Sequence, residues 1–349
     1  MKNSYYFLIN SLEWWGAERV TINFANNLTK EWKEIYIITL KSLNFYELPS
    51  WVRYIPLSHI KNNLLMFLLI PRYVCKFKKI VKKYNLSDGM SLLEVANFVH
   101  ILARKHATIS FRIHVSFFKW LLWGIYKLLI RLLYPRVWKI VVNSMENKYD
   151  LAEYLHVPEN KIEVVYNPVD KEKIKKMRLE EISDELQQKI AWKKKVFITT
   201  WRLVWQKHHE KIINALLMLY KSIDKNRIYL IVWDWPEKNK LEKLVKKIWL
   251  HENIIFCWEQ KNVFKYLNVA DIFVYASEVE WFPNVLIEAR EMWLPIITSD
   301  FKSGAKEVVL GEYTKNIWKN IEYPYQGKYW FLLDLHHYEN QFLEVYKKL

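Results

Sequence analysis

The chain has 349 residues, 52% hydrophobic and 26% charged, which excludes a disordered chain and leaves room for two domains with separate cores. Its two cysteines, Cys75 and Cys257, lie far apart, which excludes a disulfide framework or a cysteine-based metal site and fits a reduced, cytoplasmic compartment. The net charge of +16 points to an anionic partner, but the charge is scattered and carries no zinc-finger or RNA-recognition signature, so no nucleic acid is expected.

The N-terminus lacks the apolar run and cleavage site of a secretory signal. Tyr5–Ile9 reads instead as a short buried strand. Ala17–Lys30 puts Val20, Phe24, Ala25 and Leu28 on one helical face. Ile35–Leu40 is a strand, Lys76–Tyr84 a basic helix, and Ala107–Phe111 a strand. No uncharged apolar run reaches the ~18–20 residues that span a bilayer. Val115–Pro135 is rich in Phe, Trp, Leu and Ile, with Lys119, Lys127 and Arg131 in one helical sector. It reads equally as an interfacial helix among lipid headgroups or as a buried helix with snorkelling cations. Lys139–Asn143 is a strand, Glu146–Leu155 a helix, and Ile162–Tyr166 a strand closed by the turn Asn167-Pro168.

The charged segment Asp170–Lys195 reads as the linker into a second half with the same rhythm. Strands are expected at Val196–Thr200, Ile228–Val232, Ile254–Cys257, Ile272–Tyr275 and Ile296–Thr298. Helices are expected at Glu210–Tyr220, Asn239–Lys247, Val263–Leu267 and Asn284–Met292. Alternating strands and helices imply parallel sheets with crossover helices, hence two doubly wound α/β domains. Ligands then bind outside the carboxyl ends of the strands.

The chain has 18 Trp and only 6 Gly, whereas glycine usually makes up about 7% of a globular protein. Many of the indoles fall at strand-to-helix turns, such as Trp14, Trp15, Trp201, Trp205, Trp233 and Trp235, where a backbone without Cβ is wanted. This pattern is expected if UGA, read as glycine by some bacterial lineages, was translated as tryptophan. The alternative is an authentically Trp-rich protein.

Four stretches carry the chemistry: GAERV at Gly16–Val20, the run Asn143–Asp170, RLVWQKHHE at Arg202–Glu210, and EWFPNVLIEAREMWLPIITSD at Glu280–Asp300. With these residues the chain resembles the retaining glycosyltransferases of family 4, which have the GT-B fold of two Rossmann-like domains. Reading Trp as Gly at 14, 15, 201, 205, 233, 235, 258, 281, 293 and 330 completes the matches. The resemblance implies an acceptor-binding domain at 1–168, a nucleotide-sugar domain at 169–335, and a C-terminal helix at 336–349 packing back toward the first domain.

It also implies roles. Arg202 and Lys207 bind the donor's diphosphate, where two cations neutralise the leaving group without a metal. Glu280 lies at the donor sugar and Glu288 at the ribose hydroxyls. Phe282, Pro283, Asn284 and Val285 open a helix whose N-terminus faces the donor. Gly16 belongs to a loop over the donor phosphates, and Ser303–Glu307 is a further donor contact. Ser110, Arg112 and His114 fall on the acceptor side, although a lone His such as His114 is more often structural. The stretch TSDFKSGAKEVV resembles hexosamine- and galactose-transferring enzymes that build lipid-linked or surface glycans. The implied reaction transfers a hexose or N-acetylhexosamine from a nucleotide sugar, UDP-linked by expectation, to a glycan or lipid-linked acceptor with retention. It uses no cofactor beyond the donor co-substrate. The basic first half suits peripheral contact with an anionic membrane at its cytoplasmic face. A sugar-nucleotide epimerase of the same fold, or a non-catalytic scaffold if the Trp residues are authentic, are the competing readings.

Overall fold

The computed structural model describes every residue except 1, 14–15, 30, 47, 61, 105, 113–121, 193–194, 202–204, 224, 233–236, 258–259, 281, 302–303, 312–320 and 349. Arg202 and His114, and the indoles at 14, 15, 233, 235, 258 and 281, lie outside the described residues. The chain divides into two units, Met1–Asp170 and Lys171–Leu349.

The first unit runs β1 (Lys2–Ile9), α1 (Gly16–Leu28), β2 (Trp32–Thr39), β3 (Val52–Pro56), α2 (Asn63–Leu68), α3 (Ile70–Lys83) and β4 (Asp88–Leu92). It continues through α4 (Glu94–Ala103), β5 (Thr108–Phe111), α5 (Leu122–Leu133), β6 (Lys139–Val142), α6 (Met145–Glu153) and β7 (Ile162–Val164). Its strands form one parallel sheet in the order β3-β2-β1-β4-β5-β6-β7. Phe7, Leu8 and Ile9 are fully buried because helices cover both faces, as a parallel sheet requires.

The second unit opens with α7 (Lys171–Met177) and α8 (Asp184–Ala191), followed by β8 (Lys195–Thr199), α9 (His209–Ser222), β9 (Arg227–Ile231), α10 (Lys238–Lys247) and β10 (Ile254–Phe256). Then come α11 (Phe264–Leu267), β11 (Ile272–Tyr275), α12 (Asn284–Glu291), β12 (Ile296–Ser299), α13 (Ala305–Leu310), β13 (Tyr325–Gly327), β14 (Trp330–Leu333) and α14 (Tyr338–Lys347). The sheet order is β10-β9-β8-β11-β12-β14-β13, and only β13 against β14 is antiparallel.

The charged segment Asp170–Lys195, expected as the linker and entry to the second domain, holds two helices, with Ile174 and Leu186 buried. The C-terminal helix buries Tyr338, Phe342 and Val345 in the second unit's core, against α9. The described part of Val115–Pro135 has a buried and an exposed apolar side. Ile130 and Leu133 of α5 are buried, while Ile125, Leu128 and Leu132 are exposed. Among the described residues no helix is long and apolar enough to cross a membrane.

Candidate functional site

In the second unit the chain leaves β8 at Thr199 and makes a single 3-10 turn, Trp205–Lys207, before α9 starts at His209. That turn is tied to the end of β11. The backbone N–H of Glu278 donates to Gln206 O at 3.1 Å, and Ser277 Oγ donates to the same oxygen at 3.3 Å. The result brings Lys207 and Glu280 into a buried ion pair. Tyr275, the last residue of β11, donates its hydroxyl to the same Glu280 oxygen, and Lys207 Nζ lies 3.3 Å from that hydroxyl. A buried carboxylate needs such partners, since an uncompensated one would be strongly destabilising. Lys207 Nζ also sits 4.8 Å from the centre of the Trp201 ring, so an indole covers one approach to the cation.

Glu288 is buried within α12, whose N-cap is Pro283. Phe282, Pro283 and Val285 are themselves buried, so these side chains shape the turn, and the exposed chemistry at the helix start belongs to the backbone and Asn284. Gly304, at φ 113, is the one residue type that fits beside Phe282, because a Cβ there would come within 2.4 Å of the ring. Next to it Lys306 pairs with Asp300 at 2.5 Å, and Tyr323 donates to the same carboxylate.

The first unit gathers polar groups at the carboxyl ends of its strands. Gly16 opens α1 with open space around it. Arg112, just after β5, is buried. Its Nε donates to Ser110 Oγ at 2.8 Å, another nitrogen donates to Asn167, and Nη2 has no hydrogen-bond partner. Burial pulls the guanidinium down to about 9. Glu18 and Glu94 each keep one buried oxygen without a partner, and burial pushes both carboxyls up to about 7. Leu93, immediately before Glu94, is held at φ 73, a strained backbone of the kind that clusters at functional sites.

Sequence reasoning missed Tyr275 and Glu94. Tyr275 had a visible signal, being the last residue of an apolar strand in a parallel sheet, where ligands gather. Glu94 had none, because the strand and helix around it were not anticipated.

Glu94 yields a pH prediction. Its carboxyl titrates at 4.5 when exposed and at about 7 in the fold. Between those values the unfolded chain releases a proton that the folded chain keeps, so stability falls as pH rises through this window. Glu94→Gln removes that loss. At pH 8 the variant is expected to gain up to about 3 kcal/mol, because each pH unit between the two values contributes about 1.36 kcal/mol. At pH 4 it should gain nothing. Urea denaturation at the two pH values measures this, and equal effects at both would refute a buried, protonated Glu94.

Comparison with known proteins follows the same two halves. Residues 14–173 match the family described as Glycosyltransferase Family 4, and residues 182–321 match Glycosyl transferases group 1. A Campylobacter jejuni protein, the N-acetylgalactosamine-N,N'-diacetylbacillosaminyl-diphospho-undecaprenol 4-alpha-N-acetylgalactosaminyltransferase, is 29% identical over 313 residues, covering 86% of this chain and 81% of its own. An uncharacterized glycosyltransferase of Methanocaldococcus jannaschii is 33% identical over 214 residues, covering 60% of this chain and 52% of its own. Among solved structures, Anabaena HepE in complex with UDP superposes with a TM-score of 0.71 at 15% identity, covering 100% of this chain and 90% of that one. WaaG, a glycosyltransferase of lipopolysaccharide biosynthesis, gives 0.68 at 15% identity, with 99% and 90% covered. At such identities these two likenesses speak to the fold. Matched in both halves by the family's sequence profiles, and with both sheets wound as in these structures, the chain belongs to the family 4 glycosyltransferases, GT-B enzymes that use a nucleotide-sugar donor.

Proposed function

We propose that the chain transfers a hexose or N-acetylhexosamine from a UDP-sugar, with retention, to a lipid-linked glycan at the cytoplasmic face of an anionic membrane. The observation that carries this reading is the buried Lys207–Glu280 pair at the carboxyl end of the second sheet. A cation fixed there can accept the charge that grows on a departing nucleoside diphosphate. Arg202, five residues earlier, supplies the second cation of the motif. Glu280 serves as the counter-ion of Lys207 while the donor is absent, and is then released to a sugar hydroxyl when diphosphate takes its place. The C. jejuni relative's name describes transfer of N-acetylgalactosamine to a diphospho-undecaprenol-linked acceptor, which supports a lipid-linked acceptor here.

The membrane part rests on the first unit. Helix α3 has the sequence IPRYVCKFKKIVKK, with no acidic residue. Helix α5 of the same unit exposes Ile125, Leu128 and Leu132. Cations attracted to headgroups beside apolar residues able to insert shallowly is the composition of an interfacial surface.

Trp201 favours a second reading, a scaffold that does not turn over, since its indole lies against Lys207. Trp201→Gly separates the two. Titration with UDP, followed calorimetrically, is expected to show binding at least about tenfold tighter in the variant, because cation–π contact and steric cover are both removed. Transfer assays with a lipid-linked acceptor should then release UDP only when acceptor is present. Recovery of the nucleotide sugar with one sugar centre inverted, without acceptor and without net UDP release, would indicate an epimerase, and no UDP binding in the variant would leave the scaffold.

A further inference from the structure

The first unit holds another concavity, away from the carboxyl ends of its strands. It lies between the C-terminal parts of α3 and α4, where α4 hands over to the amino end of β5. The cavity measures about 270 Å³, with an apolar floor of Phe77 and Val81 and a rim of Lys78, Lys82, Arg104 and His106.

Three observations make this more than a solvated helix face. Lys78 and Lys82 stand four residues apart on one side of α3, a like-charge spacing that is unfavourable without a counter-ion. Among the described residues no carboxylate pairs with Lys78, Lys82 or Arg104. The Arg104 guanidinium is fixed: its Nη1 donates to Tyr6 Oη at 3.1 Å and to Leu86 O at 3.0 Å. Among the described residues its other guanidinium N–H groups have no hydrogen-bond partner, a forked geometry suited to phosphate. The third observation is the neighbour. Trp138 packs edge-on against His106, with ring centres 5.7 Å apart, and is 67% exposed. An exposed indole beside a cationic hollow is the pairing found at membrane–water interfaces, where the ring sits at headgroup depth.

We propose that this cavity is a binding site for the phosphate of an anionic phospholipid headgroup, with Trp138 as the interfacial anchor beside it. The proposal rests on the reading above that the first unit meets a lipid-borne acceptor. It adds a defined lipid site, on a different face of the unit from the acceptor groups near Arg112, and so a means by which membrane composition would set the enzyme's surface residence.

The test is co-sedimentation of the full chain with phosphatidylcholine vesicles, with and without phosphatidylglycerol. Two double variants remove equal charge from the same helix: Lys78→Ala with Lys82→Ala inside the cavity, and Lys79→Ala with Lys83→Ala outside it. The inner pair is expected to lower partitioning onto phosphatidylglycerol vesicles by at least about tenfold, and the outer pair by markedly less. Trp138→Ala should lower it as well, with UDP binding unchanged in every variant. Equal losses from the two pairs would mean diffuse attraction and overturn the site while leaving peripheral binding intact. Free inorganic phosphate displacing the protein from vesicles, with Trp138→Ala inert, would overturn the lipid assignment in favour of a soluble anion. A parent chain that ignores phosphatidylglycerol altogether would remove both this site and the membrane reading, while the donor site would stand on its UDP titration.

Discussion

Lys207→Ala is expected to slow glycosyl transfer by roughly 10²–10³-fold at saturating donor, the range seen when one preorganised electrostatic group is removed from a reaction centre. The buried geometry complicates a simple reading of that loss. Lys207 neutralises Glu280 inside the second unit, so the single variant also leaves a buried carboxylate with Tyr275 as its remaining partner. Breaking one side of such a pair typically costs about 3–5 kcal/mol of stability. Fold and chemistry can be separated by adding Glu280→Gln. The double variant should recover most of the lost stability, because no charge is left unpaired. It should recover none of the lost turnover if, as proposed, Lys207 is the cation that faces the diphosphate. Melting temperature and single-turnover rate, measured on the same three proteins, decide the matter. A single variant with near-normal turnover would take Lys207 out of the mechanism.

The second large effect concerns tryptophans at left-handed backbone positions. Trp249, Trp293 and Trp330 have φ of 59, 61 and 112. The first two follow the ends of α10 and α12. There the next residue's N–H reaches back to close the helix, from Leu250 to Val245 O at 3.2 Å and from Leu294 to Ala289 O at 3.0 Å. This is the helix-ending motif whose left-handed residue is usually glycine. Trp249 and Trp293 are 81% and 86% exposed, so their indoles have little packing to lose. Replacing Trp249 or Trp293 with Gly is expected to stabilise the chain by roughly 1–2 kcal/mol, the cost of holding an L-residue in that region, whereas Trp330 also packs against the second unit's core, so its replacement should gain less. Each kcal/mol raises the melting temperature by roughly 2–4 °C in a domain of this size. Trp192 is the control. It is 84% exposed but sits at φ −96, so Trp192→Gly should bring no gain. On the same grounds, peptide mass spectrometry of the protein from its own organism is expected to find glycine at 249, 293 and 330. Tryptophan at all three would show that the sequence carries these indoles by selection.

Much of this fold could be read from apolar periodicity. The strands at Tyr5–Ile9, Ile35–Leu40 and Ile272–Tyr275 are continuous apolar runs, and each is an interior strand with a neighbour on both sides. The failures have physical causes. Val52–Pro56 is an edge strand with one buried side at most, so VRYIP lacks a clear signal. Asp88–Leu92 begins with Asp-Gly, which reads as a turn, and pairs as a strand because Gly89 lets Tyr6 approach where a Cβ would clash. Missing that strand hid α4 and with it Glu94. At the candidate donor site, the residues were legible through motif spacing, but their state was not. Nothing in the spacing of Lys207 and Glu280 says that each is the other's partner. Nor does it say that Phe282 and Val285 are buried in the core.

The placement of α14 in the second unit's core has a consequence for biosynthesis. Tyr338, Phe342 and Val345 pack on α9, the helix that begins two residues after Lys207. The first unit can complete its sheet as soon as Ile162–Val164 has left the ribosome, since every strand it needs is by then translated. The second unit cannot. Its core stays open until the segment 338–347 emerges, so a nascent chain stalled between β8 and α14 would carry a finished first unit and an unfinished, aggregation-prone second unit.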